Sequence, residues 1–364
     1  MDFNHTETRR MLADTIERYL RDKYPLAARV EAGNNAPGFQ QAHYDGLAEL
    51  GVIAALFEED HGGFGGEGFD IAVVFEELGK RLVNEPVLDC ALVPGTIFAA
   101  TGQTDTLEEV IAGSARYALA AEEPQALYDL SDVDTSAEPS GDVHALTGTK
   151  TVVKYASGCT GFIVSARTAK GISLFLVAAD AVNLRDYTTA DGGTASELTL
   201  KAAPGTLLGD DGAGGALLQK ATDRAIVGIC AEALGIMQTI REMTIEYLQT
   251  RKQFGVPIGK FQALQHRMAD VLLEIEQARS AVINAANALG SDAADRARII
   301  AATKYSIGRI GRMVAEESIQ MHGGIGMTWE YDLGHYAKRL IMIDHEWGDQ
   351  DFHLARFIDL GKAA

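Results

Sequence analysis

Two segments carry residue types suited to holding an anion. The first is Arg251-Lys252-Gln253-Phe254-Gly255-Val256-Pro257-Ile258-Gly259-Lys260-Phe261-Gln262, where one long helical pattern stops, turns through glycine and proline, and gives way to the next. A guanidinium in such a turn can fork onto two phosphate oxygens; the bland reading is a helix-end arginine in water beside a glycine cap. The second is Gln320-Met321-His322-Gly323-Gly324-Ile325-Gly326-Met327, at the end of a third long helical pattern. Its glycines let backbone amides approach an anionic group with no Cβ in the way, and amides exposed there can accept a pyrophosphate. This is not a dinucleotide-fold fingerprint, which follows a strand and opens a helix. His322 reads as a packed or hydrogen-bonded histidine rather than an acid or base. Cys90, Cys159 and Cys230 are odd in number, widely spaced and without a CxxC pair, so they read as idle or buried thiols, not as a disulfide framework, a metal site or a nucleophile.

The elements that must position these segments fall into three stretches. The chain has 364 residues, 47% of them hydrophobic, and a formal charge of -19, a balance that argues against a nucleic-acid partner. Its start is charged and periodic, unlike a signal peptide, and its apolar runs are too short for a membrane span, so a cytoplasmic protein with no membrane partner is expected. Helical periodicity marks residues 6–23, 43–50, 69–81, 92–100 and 104–111, with an open loop expected for the glycine-rich run Glu58-Glu59-Asp60-His61-Gly62-Gly63-Phe64-Gly65-Gly66-Glu67-Gly68. Strand candidates at 117–121, 145–153, 161–166, 172–177 and 195–200 have connectors too short for crossover helices, which predicts an antiparallel or mixed sheet. Long helices are predicted over 221–250, 263–289 and 293–321; such helices bury their stripes against one another as a bundle that can continue into a partner subunit. The fold class expected is α+β: an N-terminal helical domain (1–115), a middle β domain (116–212) and a C-terminal long-helix bundle (213–364).

The pairing of the Arg251 and Gln320 segments, about sixty residues apart behind a β domain, resembles the acyl-CoA dehydrogenase flavoprotein family over essentially the full chain. The resemblance implies α,β-desaturation of an acyl-CoA thioester with FAD as cofactor and an electron-transfer flavoprotein as acceptor. It implies that Arg251 reaches the FAD pyrophosphate across a subunit boundary, that Phe254 packs on the cofactor, and that Gln320 with Gly323, Gly324 and Gly326 contacts its ADP half, also across that boundary. Relatives carry the catalytic base as the glutamate of a Tyr-Glu-Gly-Thr segment, which here aligns with His345-Glu346-Trp347-Gly348-Asp349 and places Trp347 in the glutamate slot. Others carry it before an arginine on the first bundle helix, here Asp223 before Arg224, where an acid in a helix's first turn is also favoured by the dipole alone. The expectation is that neither Asp223 nor Glu346 is a working base and that the chain has no catalytic residue of its own.

A second departure agrees with this. The Thr-Glu-Pro-x-x-Gly-Ser-Asp type segment that holds a flavin ring in relatives is reduced to Glu122-Glu123-Pro124, and Tyr155 and Ser157 only weakly match another flavin-side strand. What is weakened is what a chain uses on its own flavin; what is kept is what it supplies to a neighbour. The chain therefore resembles the small, noncatalytic-type subunit of heteromeric bacterial enzymes such as pimeloyl-CoA or steroid side-chain acyl-CoA dehydrogenases. Its implied partner is a larger homologous subunit in an α2β2 assembly. Two other readings stay open at this point: a self-sufficient homo-oligomeric dehydrogenase with a displaced base, and a non-redox member of the fold.

Overall fold

A computed structural model describes residues 5–34 and 36–362. The elements in chain order are α1 (Glu7–Lys23), α2 (Leu26–Gly33), α3 (Gln41–Glu49), α4 (Gly68–Lys80), α5 (Val93–Thr101), α6 (Thr104–Ile111), β1 (Tyr117–Ala120), β2 (Ser136–Ser140), β3 (Val143–Lys154), β4 (Gly161–Thr168), β5 (Gly171–Ala178), β6 (Asn183–Thr188), β7 (Thr194–Leu208), α7 (Gly214–Thr250), α8 (Gln262–Ala288), α9 (Ala293–His322), α10 (Leu333–Asp344) and α11 (Gln350–Lys362). They form two compact units that interleave in sequence. One contains the residues up to Leu26, Gly68–Val83 and everything from Ile226 onward; the other contains Ala27–Glu67 and Asn84–Ala225.

The second unit is built on a mixed sheet. β4, β2, β3, β7 and β5 are joined in that order and β5 pairs back to β4, closing a small barrel, with β1 parallel to β4 and β6 antiparallel to β7. Closure pairs β4 and β5 with each other and leaves β1 and β6, each paired on one side, as the edge strands. Phe162, Ile163, Val164, Leu174, Phe175 and Val177 are all fully buried, so β4 and β5 are covered on both faces. The strand pattern left out β2 and β6, and for a physical reason. Ser-Ala-Glu-Pro-Ser and Asn-Leu-Arg-Asp-Tyr-Thr are largely exposed, so neither displays the apolar alternation that marks a half-buried strand.

The expected open loop is not open. Phe64, Gly65 and Gly66 donate their backbone N–H groups to Ala54, Phe57 and Ala55 at 3.2, 2.9 and 3.0 Å, so the glycine run folds back on residues 54–57. A Cβ on Gly63 would run into the carbonyl of Phe57, which explains a glycine there by close approach.

The first unit is the bundle. Asp292 starts α9 by accepting from Ala294 and Asp295 N–H at 3.1 Å, a side-chain cap, and Gly323 at φ +68° ends it. From Ile226 to Met237 α7 is apolar almost all round, with Val227, Ile229, Cys230, Ala231, Ala233 and Ile236 wholly buried, as befits a central helix. It touches α4 backbone to backbone. A Cβ on Gly235 would overlap the Glu76 carbonyl, and one on Gly79 the Glu232 carbonyl. Two helices can approach this closely only where glycine removes the ridge between them.

That contact gives a direct stability test. Gly235→Ala is expected to destabilise by about 1–3 kcal/mol through overpacking against backbone that cannot rotate away. Gly215→Ala, at a helical position with nothing near its added methyl, is expected to be neutral or to stabilise by up to about 1 kcal/mol. Urea unfolding midpoints of the two variants check the contrast.

Candidate functional site

The Arg251 turn stands at the end of α7. Its backbone is fixed from both sides: Arg251 N–H donates to Tyr247 O at 2.9 Å and its carbonyl accepts from Ile258 N–H at 2.8 Å. The side chain itself is exposed. Lys252–Gln253 and Val256–Pro257 pair as a minimal hairpin whose tip, Phe254-Gly255, takes φ values of +53° and +82°. This tip turns the Phe254 ring outward, where it is 91% exposed and meets only the edge of Phe261 at 6.1 Å. A ring so placed gains nothing by folding of this chain alone.

At the end of α9, Gln320 is exposed on the last turn and Gly323 donates its N–H to the Gln320 and Ile319 carbonyls. A Cβ on Gly323 or Gly324 would meet nothing within 4 Å. These two therefore leave a bare backbone surface rather than solving a packing problem. Gly326 differs: it is buried, and a Cβ there would press on His322 and Ile319. His322 lies between the two segments. Its ring stacks on Tyr247 at 4.4 Å, approaches Tyr331 at 5.3 Å, and its Nδ1 is 2.8 Å from Ser318 O. Burial lowers its pKa, which keeps it neutral and packed, as its sequence context suggested. Through this stack the ends of α7 and α9 meet, bringing the Arg251 turn and residues 320–324 to one end of the bundle. Ile325, Met327 and Trp329 continue the exposed apolar surface at 42, 76 and 60% exposure.

The segment at residues 345–349 is the turn between α10 and α11. Trp347 and Gly348 take φ of +59° and +99°, and the turn is held from beneath by Lys304 of α9. The Lys304 ammonium is fully buried and donates to Ile343, Asp344 and Gly348 carbonyls at 3.0, 2.9 and 2.7 Å. Burial pushes its pKa down, opposed by the neighbouring Cys230, Asp344, Glu346 and Asp349. His353 Nε2 lies 2.8 Å from Trp347 O, and burial takes that imidazole down to about 4, so at neutral pH it is uncharged and its Nε2–H donates.

Glu346 is committed to a buried fork. Arg339 donates to Glu346 at 2.6 and 3.4 Å and to Glu232 at 2.7 and 2.9 Å, with all three side chains about nine-tenths buried. Both oxygens of this carboxylate are turned to the guanidinium rather than toward a weak carbon acid. Asp223 is likewise engaged, accepting from Gln219 Nε2 at 2.6 Å within its own helix, and it is 3% exposed. The first-turn account of Asp223 does not hold, because α7 begins at Gly214 and places Asp223 in the third turn, beyond the reach of the terminal dipole. Its neighbour Arg224 donates to Gly66 O at 3.0 Å and to Leu56 O, pinning the glycine loop.

The Glu-Pro remnant in the second unit is also structural. Glu123 is 4% exposed and accepts from Lys150 Nζ at 2.6 Å, Asp134 N–H at 2.8 Å and Thr135 N–H at 3.1 Å. Burial raises its pKa, but these bonds outweigh burial and hold it at about 2. Lys150, pushed by burial down to about 8, also donates to Ser165 Oγ at 2.9 Å. Tyr155 donates to Asn84 Oδ1 at 3.1 Å, and Ser157 is exposed. Sequence reasoning missed Lys304, Arg339 and Lys150. The available signal was register: Lys304 falls on the stripe of Ile300, Ile307 and Gly311, all buried, where a solvated lysine does not belong.

Residues 6–99 match the model for the acyl-CoA dehydrogenase N-terminal domain and residues 212–351 that for the acyl-CoA dehydrogenase C-terminal domain. Acyl-CoA dehydrogenase IpdE2 of Mycobacterium tuberculosis is 31% identical over 336 residues, 92% of this chain and 91% of its own. Among solved structures, the Tcur3481-Tcur3483 steroid ACAD G363A variant superposes with a TM-score of 0.90 at 29% identity, covering 98% of this chain and 99% of that one. The ChsE4-ChsE5 complex from Mycobacterium tuberculosis superposes with a TM-score of 0.91 at 23% identity over the whole of both chains, a likeness of fold. Among the described residues, no helix is long and apolar enough to cross a membrane.

Two stability measurements test the turn. Arg339→Met strands two buried carboxylates and is expected to cost about 3–5 kcal/mol in urea unfolding. His353 has a folded pKa of about 4 against 6.5 ordinarily. The unfolded chain therefore binds more protons between those values, so the contribution is full above pH 6.5 and is lost as pH falls toward 4. His353→Gln should flatten that part of the stability profile, read as unfolding midpoint against pH.

Proposed function

The chain belongs to the acyl-CoA dehydrogenase family of oxidoreductases, and from that premise we propose that it is the subunit of a heteromeric acyl-CoA dehydrogenase that supports FAD without supplying the catalytic base. The observation that supports the reading is that Arg339 locks Glu346, beside Trp347, which the family resemblance aligns with the base glutamate. FAD, when bound, supplies the acceptor for the hydride that leaves the acyl β-carbon. The residues present fit it as a half-site offered outward. Arg251 is exposed and suits a pyrophosphate, the Phe254 ring is exposed and suits a flat apolar group, and the Gly323-Gly324 backbone, with no Cβ to shield it, allows close approach of a ligand. Gln320, exposed one turn before those glycines, adds an amide donor and acceptor, while Gly326 allows the close packing that shapes the segment.

The chain's own carboxylates do other work. Abstraction of a weakly acidic α-proton needs a carboxylate free of strong donors in a dry pocket, with its pKa raised toward neutrality. Glu346 forks with Arg339, Glu123 is held at about 2, and Asp223 accepts from Gln219, so each is engaged away from that task. A larger homologous subunit would carry the base, and an electron-transfer flavoprotein would reoxidise the flavin. The similar Tcur3481-Tcur3483 steroid ACAD, whose name joins two components, supports a two-chain assembly and a steroid-sized acyl-CoA substrate.

Three outcomes test this. The chain alone should show little flavin absorbance, and flavin should be retained when it is assembled with its larger homologue. Arg251→Ala should weaken FAD retention in that complex roughly 10–100-fold, the value of lost charge-assisted hydrogen bonds. In the same complex Asp223→Asn and Glu346→Gln should each slow flavin bleaching by acyl-CoA less than about tenfold, whereas loss of a true general base costs about 10²–10⁴. Collapse of the bleaching rate in either variant at full flavin occupancy overturns the proposal.

A further inference from the structure

Two of the three cysteines are in contact. Cys90 sits in the π-helical turn Leu88–Leu92 that leads into α5 and is fully buried; Cys159 follows the short turn Ala156–Gly158 after β3 and is half-buried. Their sulfurs lie 3.7 Å apart although 69 residues separate them in sequence. The third cysteine, Cys230, belongs to the other compact unit.

The surroundings of the pair are poised in a second, independent way. The hydroxyl of Tyr44, a fully buried side chain, and Nη1 of Arg116 are buried polar atoms that make no hydrogen bond. Both belong to this cluster. Arg116 Nε donates to Gly158 O, adjacent to Cys159, at 3.0 Å, and its guanidinium lies 5.2 Å over the ring of Tyr44 and 5.2 Å over that of Phe39. Buried donors left without acceptors are rare in folded proteins and call for an explanation at each site where they occur. A guanidinium N–H and a hydroxyl beside two thiols are the groups that would stabilise anionic sulfur or a departing oxyanion.

We propose that Cys90 and Cys159 form a reversible oxidation site, closed to a disulfide by a hydroperoxide and reopened by a dithiol. Cys159 is the member open to a dissolved oxidant. Its sulfur attacks one peroxide oxygen; the O–O bond breaks, an S–O bond forms, and the thiol proton leaves with the departing oxygen as water or an alcohol. The resulting sulfenic acid faces Cys90. Burial, then the hydrogen bond with Cys159 and the charges of Cys159 and Asp89, push the Cys90 thiol up, while Arg116 pulls it down, so Cys90 waits protonated as the resolving thiol. Cys90 sulfur then attacks Cys159 sulfur, the S–O bond breaks, and the Cys90 proton leaves with the hydroxyl as water. Two thiols lose two electrons and the hydroperoxide gains them. Side-chain rotation in the Cys159 turn must bring the sulfurs from 3.7 Å to about 2.05 Å. The bond would tie the entry of α5 to the segment bearing Tyr155 and Ser157.

The test uses the full chain, a few equivalents of hydrogen peroxide, alkylation of remaining thiols and non-reducing peptide mapping. Expected are a fall from three free thiols to one, a peptide pair linked through Cys90 and Cys159, and recovery of all three thiols with dithiothreitol. Cys90→Ser should leave a sulfenic acid at Cys159 that dimedone traps, and Cys159→Ser should abolish the reaction. Absence of the linked peptide, with Cys159 carried on to sulfinic acid, overturns the proposal. So does a link that forms no faster in the native chain than in urea, a comparison that needs no variant to fold.

Discussion

A single buried ammonium holds the turn that carries Glu346 and Trp347 in shape. Lys304 reaches from α9 into the turn between α10 and α11, where three backbone carbonyls would otherwise face apolar surroundings. Taking an ammonium out of water is expensive, and it is tolerated here because all three of its donors find acceptors. The turn in turn sets the conformation of Trp347, the direction of Glu346 and the capping of α11 by Asp344, which accepts from Gln350 N–H at 3.1 Å. Gly308, one turn along α9 from Lys304, keeps the same contact close, since a Cβ there would collide with the Asp344 carboxylate.

Around this point the bundle separates two kinds of polar group. The Arg339 fork with Glu232 and Glu346 is closed inside and specifies how α7, α10 and the turn fit together; buried pairs of this kind define an arrangement more than they stabilise it. The Arg251 and Gln320 side chains, by contrast, are exposed, and a Cβ at Gly323 or Gly324 would meet no described residue. The same contrast holds for apolar groups: Ile226 to Met237 are sealed in α7, while Phe254, Met327 and Trp329 are exposed on one unit. Surfaces that gain nothing by folding of the single chain are the ones expected to gain by assembly. In the second unit Glu123 and Lys150 repeat the theme, a carboxylate and an amine held inside the barrel wall by each other, Ser165 and two backbone amides.

Long-helix periodicity, the change to strand periodicity after about residue 116, and the pairing of the Arg251 and Gln320 segments are properties of local sequence. The first two were sufficient for the α+β class and for the succession of helices, strands and long helices, because 3.6-residue and two-residue patterns need no knowledge of what packs against them, and the paired segments pointed to the family. The proposal that Trp347 takes the place of the base glutamate likewise starts from local sequence, through the family resemblance. What it could not contain was where charges end up. Register hints that Lys304 is covered, but the partners of Lys304 and Lys150 come from distant segments, 39 to 44 residues from the carbonyls that Lys304 meets and 27 from the carboxylate that Lys150 meets. Barrel closure through β4 and β5, the folding back of the glycine loop, and the contact of Cys90 with Cys159 are likewise pairings of remote residues. Periodicity is a property of neighbours along the chain and is written in the sequence; the protonation, pairing and reach of a side chain depend on the dielectric and the partners that folding brings to it, and those exist only in three dimensions.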